Sequence, residues 1–302
     1  MNKKNIWLVL CLVVAINLYS AVNQNVGTTS SMFKVLLSPK VVSLGGAYSV
    51  FSDIDSISVN PAGIGSINTK QISLAYTSWL VQTNYSYLAF GLPLGKVGSL
   101  GLLINYFSAG SIEETDINGP TGREFTASGL LTSLTYAKTL AEKFSLGISL
   151  KYISQTIDKD SASTPSLDIG SIFSLNEKIK FSLSLQNLFG SIKFVNQEDK
   201  LPTNIKIGGG VNIIDNLVSV VDINVPLDNN ISFGAGVEYA MKFADFVFPI
   251  RVGYRSGNDA LIGFALGLGF GYKDFVSLNL SWAPSISELN QNTLNVGLNL
   301  KF

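Results

Sequence analysis

Histidine is absent from this chain of 302 residues, and cysteine occurs once, at Cys11. That removes histidine-based catalytic triads and histidine-ligated metals, and no cofactor is expected. Charge is scarce as well. Asp, Glu, Lys and Arg together make up 14% of the chain, against about 25% in ordinary soluble domains. The charges balance to zero, so a nucleic acid is not an expected partner. Beyond the first 21 residues no apolar run approaches the roughly 20 residues that a membrane helix needs. Yet 46% of the chain is hydrophobic. A greasy chain with little charge and no spanning helix meets lipid most simply through alternating strands.

The first 21 residues form a unit of their own. Lys3 and Lys4 precede an apolar stretch from Ile6 to Ile16, and Leu18-Tyr19-Ser20-Ala21 offers small residues for cleavage after Ser20 or Ala21. This order of charge, grease and small residues predicts a secretory signal peptide over 1–21. Cys11 lies within the apolar stretch, after Leu10 rather than a small residue, so it does not read as a lipidation site. Without this segment the chain has 19 basic and 21 acidic residues and no cysteine.

From Ile72 onward the period is two. Phe144, Leu146, Ile148, Leu150 and Tyr152 alternate with Ser145, Gly147, Ser149 and Lys151. Strands place alternate side chains on opposite faces, which gives one greasy face and one small or polar face. The pattern predicts fourteen strands near 71–80, 84–93, 98–108, 124–138, 143–155, 165–175, 179–188, 203–213, 217–226, 231–241, 245–255, 259–272, 274–283 and 293–302. A soluble sandwich alternates too, but its polar face should carry far more charge. Aromatics near the ends of the greasy faces, such as Tyr106, Tyr136, Tyr152 and Tyr272, match the girdles of a membrane barrel. The expected fold is all-β: a 14-stranded antiparallel transmembrane barrel over 71–302, facing the lipid bilayer. Short turns are expected to alternate with longer loops at 109–123, 156–164, 189–202, 226–230, 256–258 and 284–292.

Residues 22–70 lack this period. They hold Leu44-Gly45-Gly46-Ala47-Tyr48, the acidic pair Asp53 and Asp55, and Asn60-Pro61-Ala62-Gly63. With the closing strand that ends at Phe302, these elements resemble the FadL-type outer-membrane barrels. That superfamily includes transporters of long-chain fatty acids and aromatic hydrocarbons, and the PorV/PorQ-type barrels of protein secretion. Ser38-Pro39-Lys40 departs from the Ala-Arg-Ala-type stretch of the latter branch. The resemblance implies that 22–70 folds into the lumen as a hatch, with Gly45, Gly46, Asn60, Pro61, Ala62 and Gly63 as its motif. It also implies that Phe302 is a signal for the barrel-assembly machinery.

Facing inward by parity are Lys151, Lys206 and Arg251, and also Asp168, Asp222 and Glu238. Equal numbers of each sign suggest ion pairs bracing hatch and wall, since a charge there must be paired or wet. Trp79, Tyr85, Tyr87, Leu103, Phe107, Phe125 and Leu131 could line an apolar ligand pocket. The inward stripe Gly263, Ala265, Gly267, Gly269, Gly271 leaves room for the hatch or a ligand tail, or simply relieves strand curvature. No nucleophile or base accompanies the carboxylates, so the chain is not expected to be an enzyme. Two roles remain: passive uptake of hydrophobic small molecules such as long-chain fatty acids, or a binding component that holds secreted proteins on its outer loops.

Overall fold

The computed structural model describes residues 29–79, 83–194, 196–256, 263–284 and 292–302. The expected signal peptide lies outside them, as does most of the loops expected at 256–258 and 284–292. Sixteen strands are described: β1 (Gln71–Ser78), β2 (Asn84–Pro93), β3 (Ser99–Asp116), β4 (Gly119–Ala141), β5 (Phe144–Ile157), β6 (Asp160–Ser174), β7 (Ile179–Gln186), β8 (Ser191–Phe194), β9 (Gln197–Lys200), β10 (Asn204–Ile214), β11 (Leu217–Pro226), β12 (Ser232–Phe243), β13 (Phe246–Arg255), β14 (Gly263–Tyr272), β15 (Val276–Ala283) and β16 (Thr293–Lys301). Fourteen close into one antiparallel barrel, in which β1 pairs with both β2 and β16; β8 and β9 form a separate small hairpin. Closure leaves no unpaired edge for hydrocarbon to meet.

The barrel strands carry a greasy outer face. In β5, Leu146, Ile148, Leu150 and Tyr152 are exposed, whereas Ser149 and Lys151 between them are buried. The same holds in β16, where Leu294 and Val296 point out and Asn295 is fully buried. A water-soluble protein rarely shows so continuous an apolar surface; here it is the belt that lipid covers. Aromatics frame it near both ends. Tyr136, Phe173, Phe181 and Tyr239 lie toward the end that carries the short turns, and Tyr76, Tyr106, Tyr152 and Trp282 toward the other.

Two expected loops turn out to be strand. Most of 109–123 continues β3 and β4, which stay paired out to Asp116 opposite Gly119, with register shifts on the way. Likewise 156–164 is largely strand, and β5 pairs with β6 out to Ile157 opposite Asp160. Alternation fades in both stretches because these residues rise above the wall, where neither face is held against lipid or lumen. The sequence signal for strand was therefore missing although the backbone pairing continues. The loop 189–202 holds the β8–β9 hairpin.

Residues 29–70 sit inside the barrel. They form short 3-10 turns at Ser31–Lys34, Ile54–Ser58 and Pro61–Ser66, and one five-residue helix, α1 (Pro39–Ser43). Leu44, Ala47, Ile64, Asp55 and Asn60 are completely buried.

Candidate functional site: a lumenal segment and the cavity above it

Inward glycines make room for the lumenal segment. A Cβ at Gly253 of β13 would lie 2.2 Å from the Gly45 nitrogen, and one at Gly236 of β12 would lie 2.7 Å from the Leu44 Cα. Across the barrel, a Cβ at Gly147 of β5 would lie 2.3 Å from the Pro61 carbonyl carbon, and one at Gly170 of β6 would lie 1.9 Å from Asn60 Oδ1. In the β14 stripe, Gly267 gives space to Ser43, Gly269 to Pro249 of the neighbouring strand, and Gly271 meets only ordinary contacts. The stripe therefore serves the lumenal segment at one position and the wall itself at another.

The motif residues hold the segment's shape. Gly45 and Gly46 have φ of 65° and 81°, a region open to glycine at little cost. Asn60 is extended, as the residue before a proline prefers. Its Oδ1 accepts from the Ala62 N–H at 3.1 Å, and its Nδ2 donates to Ser49 O at 2.9 Å and Ser171 O at 3.1 Å. One side chain thus caps a 3-10 turn, ties it to the neighbouring turn and fastens it to β6. Pro61 begins the turn, and Ala62 and Gly63 are small where space is tight: a Cβ at Gly63 would lie 2.0 Å from Ser56 Oγ.

The six lumenal charges meet as three cross-strand pairs. Lys151 Nζ lies 2.7 Å from Asp168 Oδ1 and also donates to Asn187 Oδ1. Arg251 pairs with Glu238 and donates to Asn279 Oδ1 at 2.9 Å. Lys206 is 3.6 Å from Asp222 and donates to Gly46 O at 3.3 Å. Asp222 in turn accepts from the Tyr48 and Ser49 N–H groups, each at 3.1 Å. The Lys206–Asp222 pair therefore grips the Gly46–Ser49 turn from the wall.

Sequence reasoning did not single out Lys40 as a site residue. Its Nζ lies 2.8 Å from Asp55 and 3.2 Å from Asp53. Asp55 also accepts from Ser73 Oγ of β1 at 2.7 Å and Asn299 Nδ2 of β16 at 2.8 Å. It thereby bridges the first and last strands, where the barrel closes. Burial alone would raise the Asp55 carboxyl, but Lys40 and the hydroxyl donor outweigh it and hold the group below its ordinary value. For Lys40, burial pulls the ammonium down, and Asp53 and Asp55 more than restore it. The available signal was a lysine upstream of an acidic pair in a segment otherwise poor in charge.

Two cavities flank the lumenal segment. One, of about 150 Å³, opens toward the long-loop end; Val41 of α1 and Ile57 form part of its floor. Tyr87 of β2, Leu103 of β3, Leu131 of β4 and Ile153 of β5 line one side of it; Lys151, two residues along β5 from Ile153, stands at the border, and Asn187, Asn204 and Lys206 lie further round the wall. The second, of about 230 Å³, lies at the short-turn end, lined by Lys40 of α1 with Arg251, Glu238 and Lys301.

The expected aromatic residues separate into groups. Tyr87, Leu103 and Leu131 line the upper cavity. Tyr85 packs between Trp79 and Phe107, at ring-centroid distances of 6.2 Å and 5.0 Å, and these three rings do not line the cavity. Phe125 stands opposite Ile112 in the raised part of the β3–β4 hairpin, apart from the buried cluster. Its parity was right, but its height was not readable. At the chain's end, Phe302 exchanges backbone hydrogen bonds with Lys70, both at 2.9 Å, and so extends the closing seam by one pair.

This arrangement defines a class: a closed, lipid-facing barrel of fourteen strands whose N-terminal segment fills the lumen. No protein-family model matches the sequence, and no curated protein matches it. Solved structures do. The chain is similar to the CymD monoaromatic hydrocarbon channel, at 12% identity over 88% of this chain and 97% of that one, with a TM-score of 0.64. It is similar to the toluene transporter TodX of Pseudomonas putida at 11% identity, covering 86% and 96%, with a TM-score of 0.64. A FadL homologue of Pseudomonas aeruginosa matches at 8% identity, covering 89% and 99%, with a TM-score of 0.58. The fold is thus the one that these channel and transporter barrels and the FadL homologue share.

Proposed function

We propose that the protein is an outer-membrane barrel for passive uptake of hydrophobic small molecules. The carrying observation is the upper cavity: a space with one apolar and one polar side, open toward the long-loop end and floored by the lumenal segment. Solved barrels of the same fold are a monoaromatic hydrocarbon channel and toluene transporters. A molecule enters between the long loops, settles against Tyr87, Leu103 and Leu131, and waits above the lumenal segment. That segment acts as a hatch. Movement of α1 joins the upper cavity to the lower one, since α1 lines both. Transfer is downhill and forms no covalent bond.

The test is uptake by cells whose lipopolysaccharide-coated outer membrane resists apolar solutes and which lack such a channel of their own. Expression of this protein is expected to raise the initial rate of radiolabelled toluene entry several-fold over cells carrying an empty vector. Equal rates, with the barrel folded in the outer membrane, would sink the reading.

A further inference from the structure

Resting on that reading, the geometry points to a cargo class: a small neutral amphiphile, with a benzene-sized apolar body and a hydroxyl head, in preference to a bare hydrocarbon or a carboxylate. A cavity near 150 Å³ holds a body of about the size of benzene, too small for a long acyl chain. Its sides differ in chemistry. Leu103, Leu131 and Ile153 offer only carbon, and Tyr87 adds a ring whose buried hydroxyl has no hydrogen-bond partner and can donate to a ligand oxygen. Within this apolar side sits an amide. Asn105 is inward on β3, directly opposite Tyr87 on one neighbour and Leu131 on the other. It is 5% exposed and lines the cavity, and its Oδ1 has no hydrogen-bond partner. Asn204 Oδ1, on the opposite side, is buried and unpartnered as well. Buried acceptors without donors are rare because leaving them unmade is costly. A ligand hydroxyl supplies the missing donor.

Charge argues against a carboxylate. Each lysine that lines the cavity already has one: Lys34 pairs with Asp228, Lys151 with Asp168 and Lys206 with Asp222, and Arg255, the other cation of the lining, is not free either. An incoming anion would have to displace one of them. A neutral head leaves all three pairs intact and uses only the amides.

Equilibrium binding of p-cresol, toluene and benzoate to the purified full-length protein in detergent tests the assignment. Asn105→Leu, of similar size, is expected to weaken p-cresol about five- to tenfold, the loss of one hydrogen bond, and to leave toluene unchanged or tighter. Benzoate is expected to bind more weakly than p-cresol. Leu131→Phe, which fills the apolar side, is expected to weaken both neutral ligands. Equal effects of Asn105→Leu on p-cresol and toluene, or benzoate binding more tightly than p-cresol, would overturn the hydroxyl assignment while leaving hydrophobic uptake standing. Unchanged binding in Leu131→Phe would overturn the location. If none of the three ligands binds the folded wild-type protein, the uptake reading fails and this one with it.

Discussion

At the scale of single residues, the hatch is held by buried charge. Asp55 is completely buried, and Lys40, Ser73 and Asn299 compensate its desolvation. Removing one partner of such a pair leaves the other uncompensated, at a cost of about 3–5 kcal/mol. Lys40→Met is therefore expected to release the hatch without unfolding the barrel, seen as greater single-channel conductance in planar bilayers; wild-type conductance in the variant would contradict this. The pH dependence follows from the same pair. The Asp55 pKa is lowered in the folded state. Its stabilisation is thus present above the ordinary carboxylate value of about 3.9, and is lost as pH falls from there through the folded value. The Lys40 pKa is raised, so its share is complete below about pH 10.4 and is lost only as pH rises beyond. Hatch leak should stay flat from about pH 5 to 9 and rise in stronger acid. A leak that climbs between pH 5 and 9 would point to other groups.

Asn60 is the second residue-scale hinge of stability. Its amide serves Ala62, Ser49 and Ser171 at once, and each such bond contributes about 0.5–1.5 kcal/mol. Asn60→Ala is expected to make the hatch more sensitive to added protease while the heat-resistant barrel band on a gel is unchanged. Equal protease resistance in both proteins would refute its role as a fastening.

At the scale of elements, the wall and the hatch fit because several strands lack a Cβ where the lumenal segment passes. The period-two pattern reveals which face glycine occupies, but not what lies against it. Gly147, Gly170, Gly236 and Gly253 are ordinary members of an alternating run until atoms of the hatch are seen 1.9–2.7 Å from their absent side chains. Gly253→Val is expected to displace α1 while leaving β13 paired, so conductance should rise with the barrel intact. A strand can accept valine by its own propensity, which is why the effect should appear in the hatch and not in the wall. Unchanged conductance would mean that the segment has another resting place.

At the scale of the whole molecule, the greasy exterior fixes the environment. Leu150 is 58% exposed at the middle of β5, which no soluble fold would arrange repeatedly around a closed surface. Leu150→Arg is expected to cost about 2–4 kcal/mol if the residue faces the bilayer midplane, measured by unfolding of the barrel from lipid vesicles. A cost near zero would deny the lipid-facing belt.

Local alternation was enough to read the barrel class, the fourteen strands and the inward charges, because a strand in a closed wall shows one face to lipid and one to the lumen along its whole length. The motif of Gly45, Gly46, Asn60 and Pro61 likewise marked a segment of different character. Pairing partners were beyond reach: which carboxylate meets Lys151, why Lys40 matters, that Asp55 spans the closing seam, and that Phe125 stands above the cavity rather than in it. Those facts depend on strand register and on how a non-repeating segment threads a cylinder. The closing seam joins residues more than two hundred positions apart, Gln71 opposite Lys301, and even the hairpin pair Lys151–Asp168 depends on a register that alternation along one strand does not carry.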